Sequence, residues 1–567
     1  QFCLERKIIL EKTYKTNLNK RKNENGHGIL SWFSENIFVI ILVISILVFV
    51  AFPVISVLVK SAEGEGGATL QYYVELFNED MFDITFQSLL LAIASSIIGT
   101  VLAYILSLGM YVSSTRLRDA MRKVLLVTII SPPFVTSIAM ILLFGRRGFI
   151  TYDLFNLNWN IYGWQGILLI QVLSSLSFAM LILSNSFDSI DEKAVVASLD
   201  LGATPIQTLK NIIIPNTMPG ILSVLFILFT MNFADFGTPV IIGGRFQTLA
   251  TEAYNAVLST GDLNRGSAMS TVMVMPSVLA FVFYAQMMKR VGNSHSGDKG
   301  TSNSTIALKL PKGIKIILDT FLVLFIIFNL LKYGTIVIST VTNNATGTLR
   351  FTLDNFAKLE PVSIRAFLRS ISYSLIASVL AVIIGTTLSY YIYRLKRKNL
   401  KIYEFIASLP YIIPGTFFGL GYLVAFNDKP IFLTGTAAIV ILNLAFRQIS
   451  VANKNANSIY PNIDAKLESA GKDLGANKFQ LLKTVIIPMS IPIFTTSFAQ
   501  IFTSSMTAFG SVMFLVSPGK LLASTEMFRQ IKGGGNAVGS ILAVLIILIT
   551  GLVNVLMTNI LKRLREK

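Results

Sequence analysis

Cysteine is almost absent from this chain of 567 residues: Cys3 stands alone. An intrachain disulfide and a thiolate metal site are therefore excluded, and the redox compartment leaves no trace. Histidine is nearly as scarce, with His27 and His295 in polar segments that read as solvated loops. No cluster of His and carboxylates falls in an apolar run. Neither H-E-x-x-H nor G-x-S-x-G occurs, so a metalloprotease or a serine hydrolase lacks its materials. The phosphate-cradling G-x-x-x-x-G-K-[ST] loop is missing as well. Gly471-Lys472 has Lys466 at the first glycine position, Gly519-Lys520 has Phe514 there, and neither Lys is followed by Ser or Thr. The chain cannot hydrolyse ATP alone, and we expect no catalytic residue, metal site or cofactor of its own.

Charge is thin too, at 14% of residues, while 53% are apolar and the mean hydropathy is +0.65. Runs with little or no charge, long enough to cross roughly 30 Å of hydrocarbon, recur along the whole length. Expected spans are 37–59, 84–109, 123–144, 164–185, 219–243, 271–288, 316–340, 370–393, 402–426, 435–452, 490–516 and 537–561, twelve in all and six in each half. The fold class that follows is an all-α polytopic membrane protein. The first run is longer than a signal h-region, lacks a small-residue cleavage pattern and follows a basic segment, 1–36, so we take it as a retained helix. The chain begins at Gln1 rather than Met, which leaves residues before it open.

Acidic residues number 30 against 48 Lys and Arg, and a net charge of +18 invites a nucleic-acid reading. The basic residues are dispersed over loop ends instead of forming one groove, which argues against it. On a twelve-span topology Arg6 to Lys22, Arg116 to Lys123, Lys289 to Lys315, Arg394 to Lys401 and Lys562 to Lys567 fall on one side. This is the positive-inside bias, and with an even number of spans it places both termini in the cytoplasm. The first loop on the other side, Ser61 to Asp83, carries Glu63, Glu65, Glu75, Glu79, Asp80 and Asp83 but neither Lys nor Arg.

One segment occurs twice. Leu201-Gly202-Ala203, Leu209-Lys210, Ile213-Ile214-Pro215 and Pro219 return as Leu474-Gly475-Ala476, Leu482-Lys483, Ile486-Ile487-Pro488 and Pro492, displaced by the 273 positions from Gly202 to Gly475. Ser88 to Gly99 resembles Ser374 to Gly385, and Ser131-Pro132-Pro133 sits where Ser408-Leu409-Pro410 does. The chain is a fused duplication: a first half, 37–290, with its loop at 189–218; a polar, Gly/Ser-rich cytoplasmic linker, 291–313; and a second half, 314–567, with its loop at 462–491. Six spans separate corresponding points, so the halves run in the same direction and an axis along the membrane normal relates them, with a pathway at their interface.

Within each loop Ala194, Ala197 and Leu201, or Leu467, Ala470 and Leu474, fall at i, i+3 and i+7 and form one apolar stripe on a short helix. Gly202 and Gly475 suit a backbone turn. A second helix is expected to end at Ile214-Pro215 or Ile487-Pro488, because proline cannot continue the ladder. A helix lying on a membrane surface would want bulky apolar residues opposite Lys or Arg. A stripe this small suits docking into a groove of another protein.

Glu468-Ser469-Ala470, Leu474-Gly475-Ala476 and Ile486-Ile487-Pro488 resemble the EAA loop of type I ABC importer permeases: E-A-A, three residues, G, nine residues, then I-x-L-P. The first copy departs from this, with Val195 where the second has Glu468, so two unequal docking contacts are expected. Ile214 and Ile487 stand where the family usually has Leu. The resemblance implies two tandem six-helix permease repeats in a bacterial plasma (inner) membrane. It implies two copies of a separate ABC ATPase subunit, which bind the ATP and dock on the two loops, and an extracytoplasmic substrate-binding protein. On this basis the ATPase-coupling residues are Ala197, Asp200, Leu201, Gly202, Ala203 and Pro215 in one copy, and Glu468, Ala470, Asp473, Leu474, Gly475, Ala476 and Pro488 in the other.

Ionisable residues within a span are functional candidates. Asp235, in Asn232-Phe233-Ala234-Asp235-Phe236-Gly237-Thr238-Pro239, is the clearest, and the matching Thr507-Ala508-Phe509-Gly510 has no carboxylate. Asp235 with Asn232 either touches the pathway, or the carboxylate caps a helix end or pairs with Arg245. Ser504, Ser505 and Thr507 are candidates for the same pathway, though Ser and Thr also serve helix packing. The 40 Phe residues are explained by lipid contact and packing.

The run Phe233 to Pro239, with Ile242-Gly243-Gly244 and Leu249-Ala250-Thr251-Glu252, resembles the ferric-iron branch of fused permeases. That resemblance implies iron as cargo. Similar permeases are associated with 2-aminoethylphosphonate, hexose phosphate, thiamine and polyamines. An ion-coupled secondary transporter would share twelve helices and a parallel repeat, but it would bury more coupling carboxylates and has no use for twin loops.

Overall fold

The computed structural model describes residues 37–64, 66–146, 148–157, 160–292, 308, 310–343, 350–428, 430–476, 478–517 and 519–565. The basic segment 1–36 with Cys3 and His27, and most of the linker 291–313 with His295, lie outside the described residues.

The first half runs through α1 (Ile37–Lys60), α2 (Glu79–Val112), α3 (Thr115–Ile129), α4 (Val135–Phe144), α5 (Trp164–Asp188), α6 (Glu192–Asp200), α7 (Pro205–Phe233), α8 (Gly237–Ile242), α9 (Leu249–Leu258) and α10 (Leu263–Gly292). The second half repeats the order as α11 (Lys312–Thr340), α12 (Pro361–Arg394), α13 (Lys401–Ile412), α14 (Gly415–Ala425), α15 (Ala437–Ile459), α16 (Ala465–Asp473), α17 (Lys483–Met506), α18 (Ala523–Lys532) and α19 (Asn536–Arg565). A small antiparallel ribbon follows α1 and another follows α11: β1 (Glu63–Gly64) with β2 (Gly67–Ala68), and β3 (Thr342–Asn343) with β4 (Arg350–Phe351).

Among the described residues α1, α2, α5, α7, α11, α12, α17 and α19 are each long and apolar enough to cross a bilayer, and α13 with α14 makes a ninth span bent by 112°. The other three expected spans fall on helices that do not meet that length and apolarity among the described residues. Span 123–144 is divided between α3 and α4, 271–288 lies inside α10, and 435–452 lies inside α15. The breaks have a local cause. Pro132 and Pro133 lack N–H groups and clash with a preceding helical turn, and Phe134 then takes a left-handed φ of 71° before α4 starts. In the second half Pro414 precedes Gly415 in the same way.

The first helix of each half is exchanged. Val39, Leu42, Ile46 and Val50 of α1 are buried with Ala381, Phe418, Tyr422 and Phe446 of the second half, and the Tyr422 hydroxyl donates to the Phe49 carbonyl at 2.7 Å. Conversely Leu322 and Phe325 of α11 are buried with Ala103, Leu106 and Leu125 of the first half. The Ser113 hydroxyl donates to Asp319, Thr128 to Asn329 at 3.4 Å, and Ser131 shares a 2.7 Å hydrogen bond with Tyr333.

Candidate functional site in the duplicated loops and at the contact between the halves

The two loops fold alike because their caps are alike. Asp191 accepts the Lys193 N–H and Asp464 accepts the Lys466 N–H, each at 2.9 Å, which starts α6 and α16. Both helices end in a left-handed glycine, Gly202 at φ 87° and Gly475 at φ 82°. The amide of Ala203 then reaches back to the Ser198 carbonyl at 3.1 Å, and that of Ala476 to Gly471 at 3.0 Å. This 6→1 closure satisfies carbonyls that a helix end would otherwise leave open. No atom lies within 4 Å of a Cβ built on either glycine, so backbone conformation and not crowding demands glycine.

The turn leaves the apolar stripe bare. Leu201 and Leu474 are each 88% exposed, and Ala197, Asp200, Ala470 and Asp473 are exposed beside them, with Ala203 and Ala476 half-buried. The unequal position has a structural meaning. Val195 is 1% exposed and packs with Phe187, Ile213, Leu310 and Leu318, pinning the first loop to the helices above it. The side chain of Glu468 lies outside the described residues.

Pro215 and Pro488 do not end a loop helix. Each follows a π-helical turn, Leu209–Ile213 or Leu482–Ile486, and opens a long helix, Ile214–Phe233 or Ile487–Met506. The Ile214 N–H bonds to the Leu209 carbonyl, five residues back. The wider turn makes room for the pyrrolidine ring, so the chain runs from loop to bilayer without interruption. At about 1.5 Å per residue the 29 residues of α7 span roughly 43 Å.

At the far ends of α7 and α17 the halves meet in an aromatic cluster. Phe236 and Phe509, equivalent residues of the two repeats, stack on each other with centroids 5.1 Å apart and planes 18° apart. Phe134 stands edge-on to Phe509 at 4.5 Å, and Phe528 lies 4.8 Å from Phe509 and 5.5 Å from Phe134. Tyr254 stacks on Phe236 at 5.4 Å. A Cβ on Gly237 would come within 2.3 Å of the Phe134 ring, so only glycine lets the turn seat this ring. Phe134, Phe236, Phe509 and Phe528 are all buried in one core drawn from both halves. The sequence had these rings as packing; the shared offset of Phe236-Gly237 and Phe509-Gly510 was the available clue.

Asp235 lies just past the end of α7. Its carboxylate accepts the Thr238 N–H at 3.1 Å and the Gln171 amide at 3.3 Å, and among the described residues it makes no ion pair with Arg245. Asn232 donates to Ser95 at 2.9 Å and its carbonyl accepts from Gln171 at 3.2 Å. In the other half Gln448 donates to Ser504 at 2.6 Å, Thr507 donates to the Thr503 carbonyl, and the buried Ser505 hydroxyl has no partner among the described residues. Among the described residues no group of three or more His, Cys, Asp or Glu could hold a metal ion.

The sequence pattern of the binding-protein-dependent transport system inner membrane component matches residues 96–293 and again 381–566. The chain belongs to this family. Each match contains one copy of the duplicated loop. The permease is 27% identical over 527 residues to the ferric transport system permease protein FbpB of Actinobacillus pleuropneumoniae, covering 90% of this chain and 76% of the relative. It is 27% identical over 503 residues to the putative ferric transport system permease protein FbpB 1 of Haemophilus influenzae, covering 86% of this chain and 78% of the relative. Half of it resembles the putative 2-aminoethylphosphonate transport system permease protein PhnV of Salmonella typhimurium, 30% identical over 249 residues that make up 43% of this chain and 94% of the relative. The permease is thus a fused, two-repeat transport component of the inner membrane.

Proposed function

We propose that the permease forms the passage of an ATP-driven importer for ferric iron delivered by an extracytoplasmic binding protein, and that two copies of a separate ATPase subunit dock on its two cytoplasmic loops. The observation that carries the coupling role is the matched exposure of Leu201 and Leu474 on loops whose helices run unbroken to the aromatic closure. Movement of a docked subunit would be transmitted along α7 and α17 and would separate Phe236 from Phe509, alternating the passage between its two sides. Full-length similarity to two ferric permeases supports iron as the cargo. A phosphonate cargo is the second reading, favoured by the half-length similarity to PhnV.

The test is co-expression of the permease with a candidate ABC ATPase and binding protein from the same genome, followed by uptake of radioactive iron into proteoliposomes. ATP-dependent uptake is expected, with loss of both ATPase co-purification and uptake in a Leu201→Asp, Leu474→Asp variant. Uptake of a phosphonate but not iron would replace the cargo. A variant that still couples would overturn the docking.

A further inference from the structure

We propose that the two helix breaks bordering the closure form a matched pair of oxyanion sites, one around Lys332 and one around Arg447, so that cargo passes as a negatively charged complex and not as a bare cation. The word cargo rests on the import reading above; the sites themselves rest on geometry.

Between α3 and α4 the break opens a cavity of about 140 Å³ lined by Thr128, Ser131, Phe134, Thr136, Ser174 and Lys332. Lys332 is 2% exposed, its ammonium lies 4.6 Å from the Tyr333 ring centroid, and among the described residues it has no hydrogen bond or ion pair. The backbone bonds of α4 begin with the Ile138 N–H on the Phe134 carbonyl, so the first-turn amides before it face the break. In the second half the break lies between α13 and α14. A Cβ on Gly415 would sit 2.8 to 2.9 Å from the Arg447 guanidinium, which therefore lies directly against the start of α14. Arg447 likewise has no hydrogen bond or ion pair among the described residues. Among the described residues the hydroxyl of Thr416, beside Gly415 and 8% exposed, finds no hydrogen-bond partner, nor does either amide atom of the buried Asn443, one turn before Arg447 on α15.

The offset that relates Gly202 to Gly475 places Arg447 on Ser174, a wall of the Lys332 cavity. The two sites therefore border corresponding helix breaks, with the cation supplied by α15 in one half and by the exchanged α11 in the other. Phe134 lines the first site and touches Phe509, while a Cβ on Gly510 would meet Thr416 of the second, so both adjoin the closure.

A cation held inside a membrane protein without a counter-anion among the described residues is expensive, and one at each of the two breaks is best explained by an anion that arrives. The first turns of α4 and α14 add partial positive charge and free amides, the usual setting for carboxylate or phosphate oxygens. Hydroxyls of Thr136 and Thr416 complete a donor-rich lining with no carboxylate among the residues named. A bare trivalent metal ion would be repelled from both places. A metal wrapped in carboxylate or phosphate oxygens that outweigh its charge would be drawn in.

Equilibrium dialysis of the full-length permease in nanodiscs, with radiolabelled citrate or inorganic phosphate in a chloride background, tests this. Saturable binding of at least one of the two is expected, identifying the oxyanion class. Lys332→Gln and Arg447→Gln should each weaken it about tenfold, the scale of one charge-assisted hydrogen bond, whereas Lys332→Arg and Arg447→Lys should retain it at an unchanged melting temperature. Binding of neither anion above chloride, or Gln variants that bind like the parent, would overturn the proposal. The assay contains no ATPase and no nucleotide, so such a failure would leave the importer reading standing.

Discussion

Leu201 and Leu474 contribute nothing to the permease's own core, being 88% exposed each, so their truncation separates docking from folding. Burying a leucine side chain stabilises by about 1.5–3 kcal/mol. Leu201→Ala or Leu474→Ala should therefore weaken ATPase binding by about tenfold or more while the melting temperature stays put, as titration with the purified ATPase would show. Gly202 and Gly475 differ in kind. With φ of 87° and 82° and open space around each, alanine there costs about 1–2 kcal/mol of local strain. Asparagine, which tolerates the left-handed region, should restore most of it, as hydrogen exchange of the loop amides would report. Val195 yields the least intuitive prediction. Replacing it with Glu brings the first loop closer to the family motif, yet it would force a carboxylate among Phe187, Ile213 and Leu318 and destabilise by on the order of 3 kcal/mol or more. A fall in melting temperature is the expected readout. The glycines and the exposed leucines were legible because turn chemistry and helical spacing are local. The burial of Val195 was not, since it depends on Leu310 and Leu318, more than a hundred residues downstream.

At the level of elements, nine of the twelve expected spans were legible from apolar length alone, counting the bent pair as one, whereas the interruptions were not. Pro132-Pro133 and Pro414 were visible, but apolar residues on both sides kept the runs looking continuous. The sign of the proline effect at Pro215 and Pro488 was also misjudged. A proline in a helix interior costs about 3 kcal/mol, and the π turns at Leu209–Ile213 and Leu482–Ile486 are the local distortion that accommodates it. Pro215→Ala with Pro488→Ala should let both turns relax to regular α-helix. The extra residue per turn would be lost, and each loop would rotate by about 100° relative to its long helix. Greater thermal stability with uncoupled ATP hydrolysis is the expected outcome. Since Cys3 is the sole cysteine, a Cys3→Ser background allows spin labels on α6 and α16 to measure the rotation.

For the whole molecule, duplication and parallel halves could be read from the repeated glycines and prolines, but the partnership of the first helices could not. Hydropathy gives spans and no neighbours. With α1 buried in the second half and α11 in the first, neither half is complete alone. Two polypeptides separated within the linker 291–313 should therefore co-purify and recover uptake when expressed together. Either one alone should be degraded or aggregate, as pull-down and membrane yield would show. Removing α1 should unfold the second half rather than the first, which limited proteolysis would reveal.

Phe236 rests on its own counterpart, Phe509, so the seal between the repeats is isologous, like a dimer contact lying on a two-fold axis. In a true homodimer every substitution beside that axis would be enforced twice. Here each wall has its own codons, and the walls have diverged: aspartate at 235 against alanine at 508, serine at 174 against arginine at 447. Fusion has freed the two sides of a two-fold joint to change one at a time, so a single substitution can alter one wall while the other keeps its packing.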